Sequence, residues 1–378
     1  MTLRIESLSL RNFRSYQAAD LADLGDITVL VGENAVGKTN LIEAIQLLTS
    51  LTSFRHSPID QLLRRGEERA LASLEASDGV RQLSVELRLE GKARKYRLNG
   101  KAKRPIDLKG LIPSVVFTPD DLGLAKGSNS GRRTALDTLG AQVNKNYYAV
   151  RRDYEKVLRH KNRLLKDEAD PALVAAMDEM VVTVGSQLAC YRVALLARLM
   201  PHLVAKYAEI AGAREQLSVS YGLSWVSVGT GLTDEGIPQF TRDEAREGLA
   251  RALHERAGEE RRRARALVGP HADTITFRLD GQDASLFGSQ GQQRSVVLAY
   301  KLAEAAVIEE LLDQKPLLLL DDVMSELDGR RREALVDAMA GGSQTFITTA
   351  NIDYFDKAML AKSDIVQLPL ADSFKQAL

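Results

Sequence analysis

With 378 residues, 44% hydrophobic and 27% charged, the chain has ordinary globular composition and is long enough for one large α/β domain with an insertion, or for two domains. Its 51 basic and 51 acidic residues cancel, which excludes a global attraction to nucleic acid and leaves only local basic segments to provide one. A lone Cys190 excludes an intrachain disulfide, and MTLRIESLSL at the start has neither the basic nor the apolar region of a secretory signal, so a reducing cytoplasm is expected.

Apolar residues alternate with polar ones through Ile5, Leu8, Leu10 and Phe13, which predicts a strand. The apolar run Ile27 to Val31 predicts another, stops at Gly32, and is followed by a helical pattern with Leu41, Ile42, Ile45 and Leu48 on one face. Alternation returns at Val85, Leu87 and Leu89, turns near Gly91, and resumes at Tyr96 and Leu98 before Asn99-Gly100, a dipeptide suited to a type I′ hairpin; this predicts an antiparallel meander. Ser114 to Phe117 reads as a short buried strand. From about Arg132 to Arg265 glycines are few and amphipathic patterns long, with a break near Pro171 and an interruption from Gly222 to Pro238, which predicts a mainly helical lobe. Thr274 to Leu279 alternates toward Asp280-Gly281, Gln292 to Leu312 reads as a helix, Leu317 to Leu320 as a buried strand, and Phe346 to Thr349 as another. Elements from both ends can thus share one sheet. The expected division is residues 1–124 for the first part of that lobe, 125–265 for the helical lobe, and 266–378 for the return. The apolar stretches at 296–312 and 317–320 are interrupted by charge or too short to span a bilayer, and no membrane span is expected. The five histidines have no metal-ligand spacing, so no zinc site is expected.

Gly32-Glu33-Asn34-Ala35-Val36-Gly37-Lys38-Thr39 is G-x-x-x-x-G-K-T, lying between a buried strand and an amphipathic helix. Backbone N–H groups and the helix start form an anion site there, Lys38 can neutralise β/γ-phosphate charge, and the Thr39 hydroxyl can ligate Mg²⁺, so ATP and Mg²⁺ are the expected cofactors. Leu317 to Leu320 ends in Asp321 and Asp322, placed for Asp321 to complete the Mg²⁺ shell and Asp322 to orient the attacking water. An apolar strand emerging into solvent also commonly ends in Asp. Two neighbours add weight: Ser325-Glu326-Leu327-Asp328 directly after, and Gly288-Ser289-Gln290-Gly291-Gln292-Gln293-Arg294 opening a helix upstream. Ser289, Gly291 and Gln292 form a second anion site, more than one phosphate loop requires.

Walker A, a Ser-Gln-Gly-Gln signature, Walker B and a Ser-Glu-Leu-Asp D-loop, in this order, resemble the ABC-type ATPase heads of the SMC and RecF group. Leu10-Arg11-Asn12-Phe13-Arg14-Ser15-Tyr16 is similar to the RecF family in particular, as are Phe117 to Leu122 leading to Arg132-Arg133 and Leu136-Asp137, the basic helix ending His160 to Lys166, and Gly269-Pro270-His271. The resemblance implies an α/β ABC-type P-loop ATPase head, a mixed sheet with flanking helices and an antiparallel β subdomain, plus an inserted mainly helical lobe. It implies a weak Mg²⁺-dependent ATPase that dimerises with ATP, binds single-stranded, gapped or junction DNA, and works with the mediators RecR and RecO in recombinase loading and the SOS response. The chain departs from the family at Ala35, where glycine is usual and a positive φ would strain alanine. It also departs at Ala272, where arginine is usual, at Ala135 for an aromatic residue, and at Asp120 or Asp121 for a glutamine.

Two segments are locally basic, Lys92 to Lys109 with Arg94, Lys95 and Arg97, and Lys145 to Lys166 with Arg159, Lys161 and Arg163. Either is a solvated charged face or a DNA surface, and the resemblance favours DNA. No base-reading motif accompanies them. Of the rival functions, a transporter's ATP-binding subunit places its signature one short subdomain after the phosphate loop, whereas about 250 residues intervene here. An SMC-type structural head needs sustained heptads for its arms. A non-hydrolysing nucleotide-dependent clamp stays open as an alternative, because Asp322 stands where a catalytic glutamate would be stronger.

Overall fold

The computed structural model describes residues 2–212, 215–225, 231–232, 236–355 and 357–370, so part of the expected interruption at 222–238 lies outside the described residues. The chain divides into two units, Met1–Asp121 with Glu304–Leu378, and Leu122–Ala303.

The first unit contains two sheets. A five-stranded parallel sheet runs in the order Asp364–Gln367, Ile27–Val31, Thr345–Thr349, Leu317–Asp321, Ser114–Phe117, so elements from both ends of the chain do share one sheet. Its central strands are buried on both faces, and for that reason Leu317–Asp321 reads as an apolar run rather than an alternation, while Thr345–Thr349 carries its threonines buried. Pairing of Thr349 with Val31 and of Asp321 with Thr348 brings the carboxyl ends of these strands to one edge, where a parallel sheet presents its ligand site. The second sheet is antiparallel, in the order Tyr16–Leu21, Arg4–Phe13, Arg69–Ser77, Gln82–Glu90, Ala93–Leu98, Lys101–Lys103. Asn99 and Gly100 both adopt positive φ, as a type I′ turn demands. Arg69–Ser77 is a strand the patterning did not single out, because its buried face is Ala70, Ala72, Leu74 and Ala76, and alanine is a weak hydrophobic marker.

Helix Lys38–Thr49 packs on strands of both sheets, and ten of its twelve residues are buried. A helix resting on a single sheet would need only one apolar face. Here the opposite side is enclosed as well, which carries Glu43 and Gln46 into the core with it. Glu43 is neutralised by a two-pronged bond from Arg14, at 2.8 Å to each oxygen, with Ser53 and Ser57 completing its hydrogen bonds.

The second unit comprises helices Asn129–Val143, Lys145–Lys166, Pro171–Ala211 and Arg242–Arg262, and a three-stranded sheet ordered Gln282–Asp283, Thr274–Leu279, Leu217–Gly222. Antiparallel pairing of Thr274–Leu279 with Leu217–Gly222 moves the expected boundary at 265/266 to 303/304, so the Ser-Gln-Gly-Gln segment lies with the helical lobe rather than with the returning lobe. Pro171 opens its helix at the first position, where its missing N–H costs nothing, and the Asp170 side chain caps it. That helix is long and apolar enough to cross a bilayer, a property not expected from the sequence, yet half of its most apolar window is buried inside the unit, as in a core helix. Arg192 on this helix forms a fully buried pair with Asp137, both bonds at 2.8 Å, and Tyr147 adds a third at 2.7 Å. Burial opposes the Asp137 charge, but Arg192 outweighs it and holds the carboxyl below its ordinary range. The Leu136-Asp137 segment is therefore a packing feature of this lobe.

Candidate nucleotide site and nucleic-acid surface

The phosphate loop leaves the parallel sheet at Val31 and enters helix Lys38–Thr49 through Gly37, whose φ of 103° needs glycine. A side chain there would also collide with Ser15 Oγ and Tyr16 Oη, each 2.8 Å from where a Cβ would stand. Ser15 in turn accepts a bond from Asn40 at 2.9 Å. Arg14, Ser15 and Tyr16 thus brace the loop and its helix, which accounts for the first family-like segment. Gly32 faces a second close approach, with the Leu368 carbonyl and Val36 each 2.9 Å from a would-be Cβ.

Lys38 is buried, and its ammonium donates to the carbonyls of Gly32 at 2.6 Å and Glu33 at 2.8 Å, which leaves one of its three N–H groups to meet a phosphate oxygen. Glu33, Asn34 and Ala35 form the exposed rim of the loop. Ala35 takes φ 70°, the left-handed conformation that makes alanine costly here. Ala35→Gly is expected to stabilise the chain by about 1 kcal/mol, read as a rise in the denaturant midpoint. If the residue were in an ordinary helical conformation, the same change would destabilise instead.

Thr39 Oγ1 donates to Asp321 Oδ1 at 2.8 Å, and Thr348 Oγ1 reaches the same oxygen at 2.8 Å. Burial pushes the Asp321 carboxyl up, while the two threonine bonds and the Arg55 charge pull it back. A hydroxyl and a carboxylate side by side, with charge to spare for a cation, are hard oxygen donors of the kind Mg²⁺ takes. Asp322 N–H donates to Thr348 Oγ1 at 2.9 Å, and its backbone sits at φ 52°. Burial raises the Asp322 carboxyl, the Lys38 charge draws it down, and Glu326 pushes it up. Ser325 of the D-loop bonds the Asp322 carbonyl at 2.9 Å, and Asp328 caps helix Gly329–Ala340. Asp121 accepts from the Thr118 amide at 2.6 Å and its hydroxyl at 3.1 Å, so it holds the turn that follows the strand Ser114–Phe117.

In the second unit, Ser289 and Gln292 bond reciprocally. Ser289 N–H donates to Gln292 Oε1 at 2.6 Å, and Gln292 N–H donates to Ser289 Oγ at 3.2 Å. This capping box fixes the start of helix Gln290–Leu312 with Ser289 exposed, and Gln292 is further held by Glu215 at 2.7 Å. Gln290 and Gly291 lie between them. His271 is a packed histidine. Its Nε2 lies 3.2 Å from the Ala266 carbonyl, which can only accept, so Nε2 carries the proton and Nδ1 accepts from the Tyr154 hydroxyl at 2.7 Å.

The RecF/RecN/SMC N terminal domain matches residues 4–368. The chain belongs to the RecF family. It is 37% identical over 369 residues to the DNA replication and repair protein RecF of Synechococcus sp. (strain JA-3-3Ab), covering 96% of this chain and 95% of that one. It is 39% identical over 352 residues to the protein of the same name from Symbiobacterium thermophilum, covering 92% of each. Among solved structures, the recombination mediator protein RecF-ATPrS in the RecFOR pathway superposes with a TM-score of 0.85 at 28% identity, over 94% of each chain.

The DNA candidates that the RecF resemblance favoured fare unequally. Lys161 is wholly buried between Glu260 and Asp178, with Nζ 2.5 Å from an oxygen of each, so it cannot reach DNA; its charge is spent inside the lobe. Arg159 and Arg163 lie on the exposed face of the same helix, Arg163 3.5 Å from Asp167. In the meander, the pleat separates Arg94 from its neighbours. Arg94 shares the face of buried Tyr96 and bonds the Ser57 carbonyl at 3.0 Å, whereas Lys95 and Arg97 point the other way. There Lys95 meets Glu90 at 2.6 Å and Arg97 lies 3.9 Å from Glu86, which already holds Arg88 at 2.7 Å, so carboxylates offset the charge of those two candidates only in part.

Proposed function

We propose that this chain is an ATP-dependent DNA-binding protein of recombinational repair and replication-fork maintenance. In this reading it closes into a homodimer on DNA when ATP binds, hydrolyses ATP slowly, and works in the cytoplasm with mediators such as RecR and RecO in recombinase loading and the SOS response. The observation that carries the ATP-dependent part is the 2.8 Å bond between Thr39 and Asp321, which joins the phosphate loop to the carboxylate strand at the edge of one sheet. The DNA part is supported by relatives described as DNA replication and repair proteins.

The loop amides from Gly32 to Thr39 and the Lys38 ammonium would hold the phosphates, and Thr39 with Asp321 would hold Mg²⁺, whose charge offsets that of the phosphates. Asp322, beside them, is the candidate for orienting the attacking water. Ser289 and the helix start behind it form a second anion site, which a twofold dimer would supply with the phosphate held by Lys38 of the other chain. ATP then favours closure because its γ-phosphate makes contacts that ADP cannot.

The test measures sedimentation velocity and binding to gapped duplex, single-stranded and blunt duplex DNA, each with ATP, ADP or no nucleotide. Dimerisation and tighter DNA binding with ATP alone are expected. Ser289→Arg is expected to bind ATP as a monomer while losing dimerisation and turnover. ATP-independent DNA binding, or a Ser289→Arg protein that dimerises and hydrolyses normally, overturns the proposal.

A further inference from the structure

Lys161 and Glu260 are 99 positions apart in sequence, and their buried bond brings the last turns of helices Lys145–Lys166 and Arg242–Arg262 together. The connection is reinforced in the turn that follows. Asn162 accepts from the Ala266 amide at 2.7 Å, Glu260 accepts from the Leu267 amide at 2.7 Å, and the Arg265 amide donates to the Glu260 carbonyl at 3.1 Å. An open cleft of about 350 Å³ lies here, lined by Asn162, Arg265, Ala266, Leu267, His271 and Ala272. Burial holds His271 toward its neutral form, so the charge at the cleft comes from Arg265.

The surroundings of this latch are strongly basic. Arg159 and Lys166 lie on the outer face of the first helix, opposite the buried stripe of Tyr147, Tyr154 and Lys161, and Arg261, Arg262 and Arg265 are exposed on the second segment. None of these five has an ion pair among the described residues, unlike Arg263 and Arg256, which share Glu259. Five uncompensated cations on two elements, locked by buried bonds, stand out on a chain whose net charge is zero.

We propose that this face docks the phosphate backbone of duplex DNA, with Arg261, Arg262 and Arg265 as phosphate ligands that the basic helix alone did not reveal. The inference rests on the DNA-binding reading above and gives it a location. The exposed stripe from Arg152 to Lys166 rises about 21 Å along the helix, roughly six base pairs of duplex. Apart from His160 neither segment exposes an aromatic ring among these cations, so the face lacks the stacking platform that single strands use, and it reads backbone rather than sequence. Lys161 is a positioning residue here: it holds the two segments together and touches no DNA.

The experiment follows duplex binding by fluorescence anisotropy across a salt series, with ATP present, for the wild type and for Arg261→Ala/Arg262→Ala/Arg265→Ala. The slope of log affinity against log salt is expected to fall in magnitude by about 2 to 3, equally for unrelated sequences, with the thermal midpoint and DNA-free ATP turnover unchanged. Arg159→Ala/Lys166→Ala, on the other element, should lower the slope by about 2 and so serves independently of how well the triple variant folds. Lys92→Ala/Lys101→Ala/Lys103→Ala should leave it alone. A wild type that binds duplex and folded variants that keep its full slope overturn the location while leaving the function standing, and a loss confined to single-stranded DNA overturns the duplex assignment. A wild type that binds no DNA in any nucleotide state removes the function proposal and this one together.

Discussion

Lys38→Ala is expected to lower ATP turnover by a factor on the order of 10²–10³, with loss of every ATP-dependent response, in a protein that still folds. The ammonium is buried and already spans the loop through the Gly32 and Glu33 carbonyls, so its position is set before a phosphate arrives and little ordering remains to be done. Its loss acts twice. A positive charge disappears from the anion site, and Asp322 loses the one attraction that counters burial and Glu326, so its carboxyl rises further. The pH profile of any residual turnover should therefore move its acidic limb upward. Circular dichroism establishes the fold, and a nucleotide titration with a turnover assay reads the rest. A folded variant with unchanged ATP affinity and turnover would remove the site assignment.

Lys161→Ala is expected to destabilise the second unit by about 3–5 kcal/mol, measured by urea unfolding, whereas Arg163→Ala two positions on should stay within about 0.5 kcal/mol. The contrast comes from what each leaves behind. Arg163 is exposed, and water replaces its contact with Asp167. Removing Lys161 strands Glu260 and Asp178 with no cation between them in the interior. Burial already pushes the Asp178 carboxyl up, with Lys161 pulling it back and Glu260 pushing further, so deleting the lysine frees it to rise. A carboxyl whose folded pKa lies above its unfolded value binds its proton more readily in the folded state. Its contribution is then largest at low pH and is lost as the pH rises through the folded pKa, so the Lys161→Ala deficit should shrink on mild acidification. A variant within 1 kcal/mol of wild type would mean the pair is not buried as described.

The nucleotide half of the site was legible because its chemistry is local. A glycine loop between a strand and a helix is eight consecutive residues, whereas the positive φ that Ala35 bears was raised as a question only by the family resemblance, in which glycine is usual there. The surface half was harder to read, because composition does not say which way a side chain points. Lys161 follows Tyr147 and Tyr154 at seven-residue steps, two helical turns each, so its place on the buried stripe was available from periodicity once the tyrosines were taken as core. Arg94 and Lys95 are adjacent, and any strand must send them to opposite faces. What no local pattern signalled was the pairing of Thr274–Leu279 with Leu217–Gly222, a long-range ladder that carries the signature segment into the other unit. Nor was it visible that Arg261 to Arg265 stand beside the basic helix, since that proximity is created by a buried ion pair.

Enclosure of helix Lys38–Thr49 between two sheets has a consequence for how the first unit comes apart. A helix docked on one surface can peel away and refold without disturbing the rest. This one contributes Leu41, Ile42, Ala44, Ile45 and Leu47 to the core at zero exposure, and its buried Glu43 is clasped by Arg14 from the first hairpin. Releasing the helix would strand that carboxylate and open both apolar layers at once, so the base of the phosphate loop belongs to the last cooperative block to unfold, and its amides should exchange with solvent only through global opening.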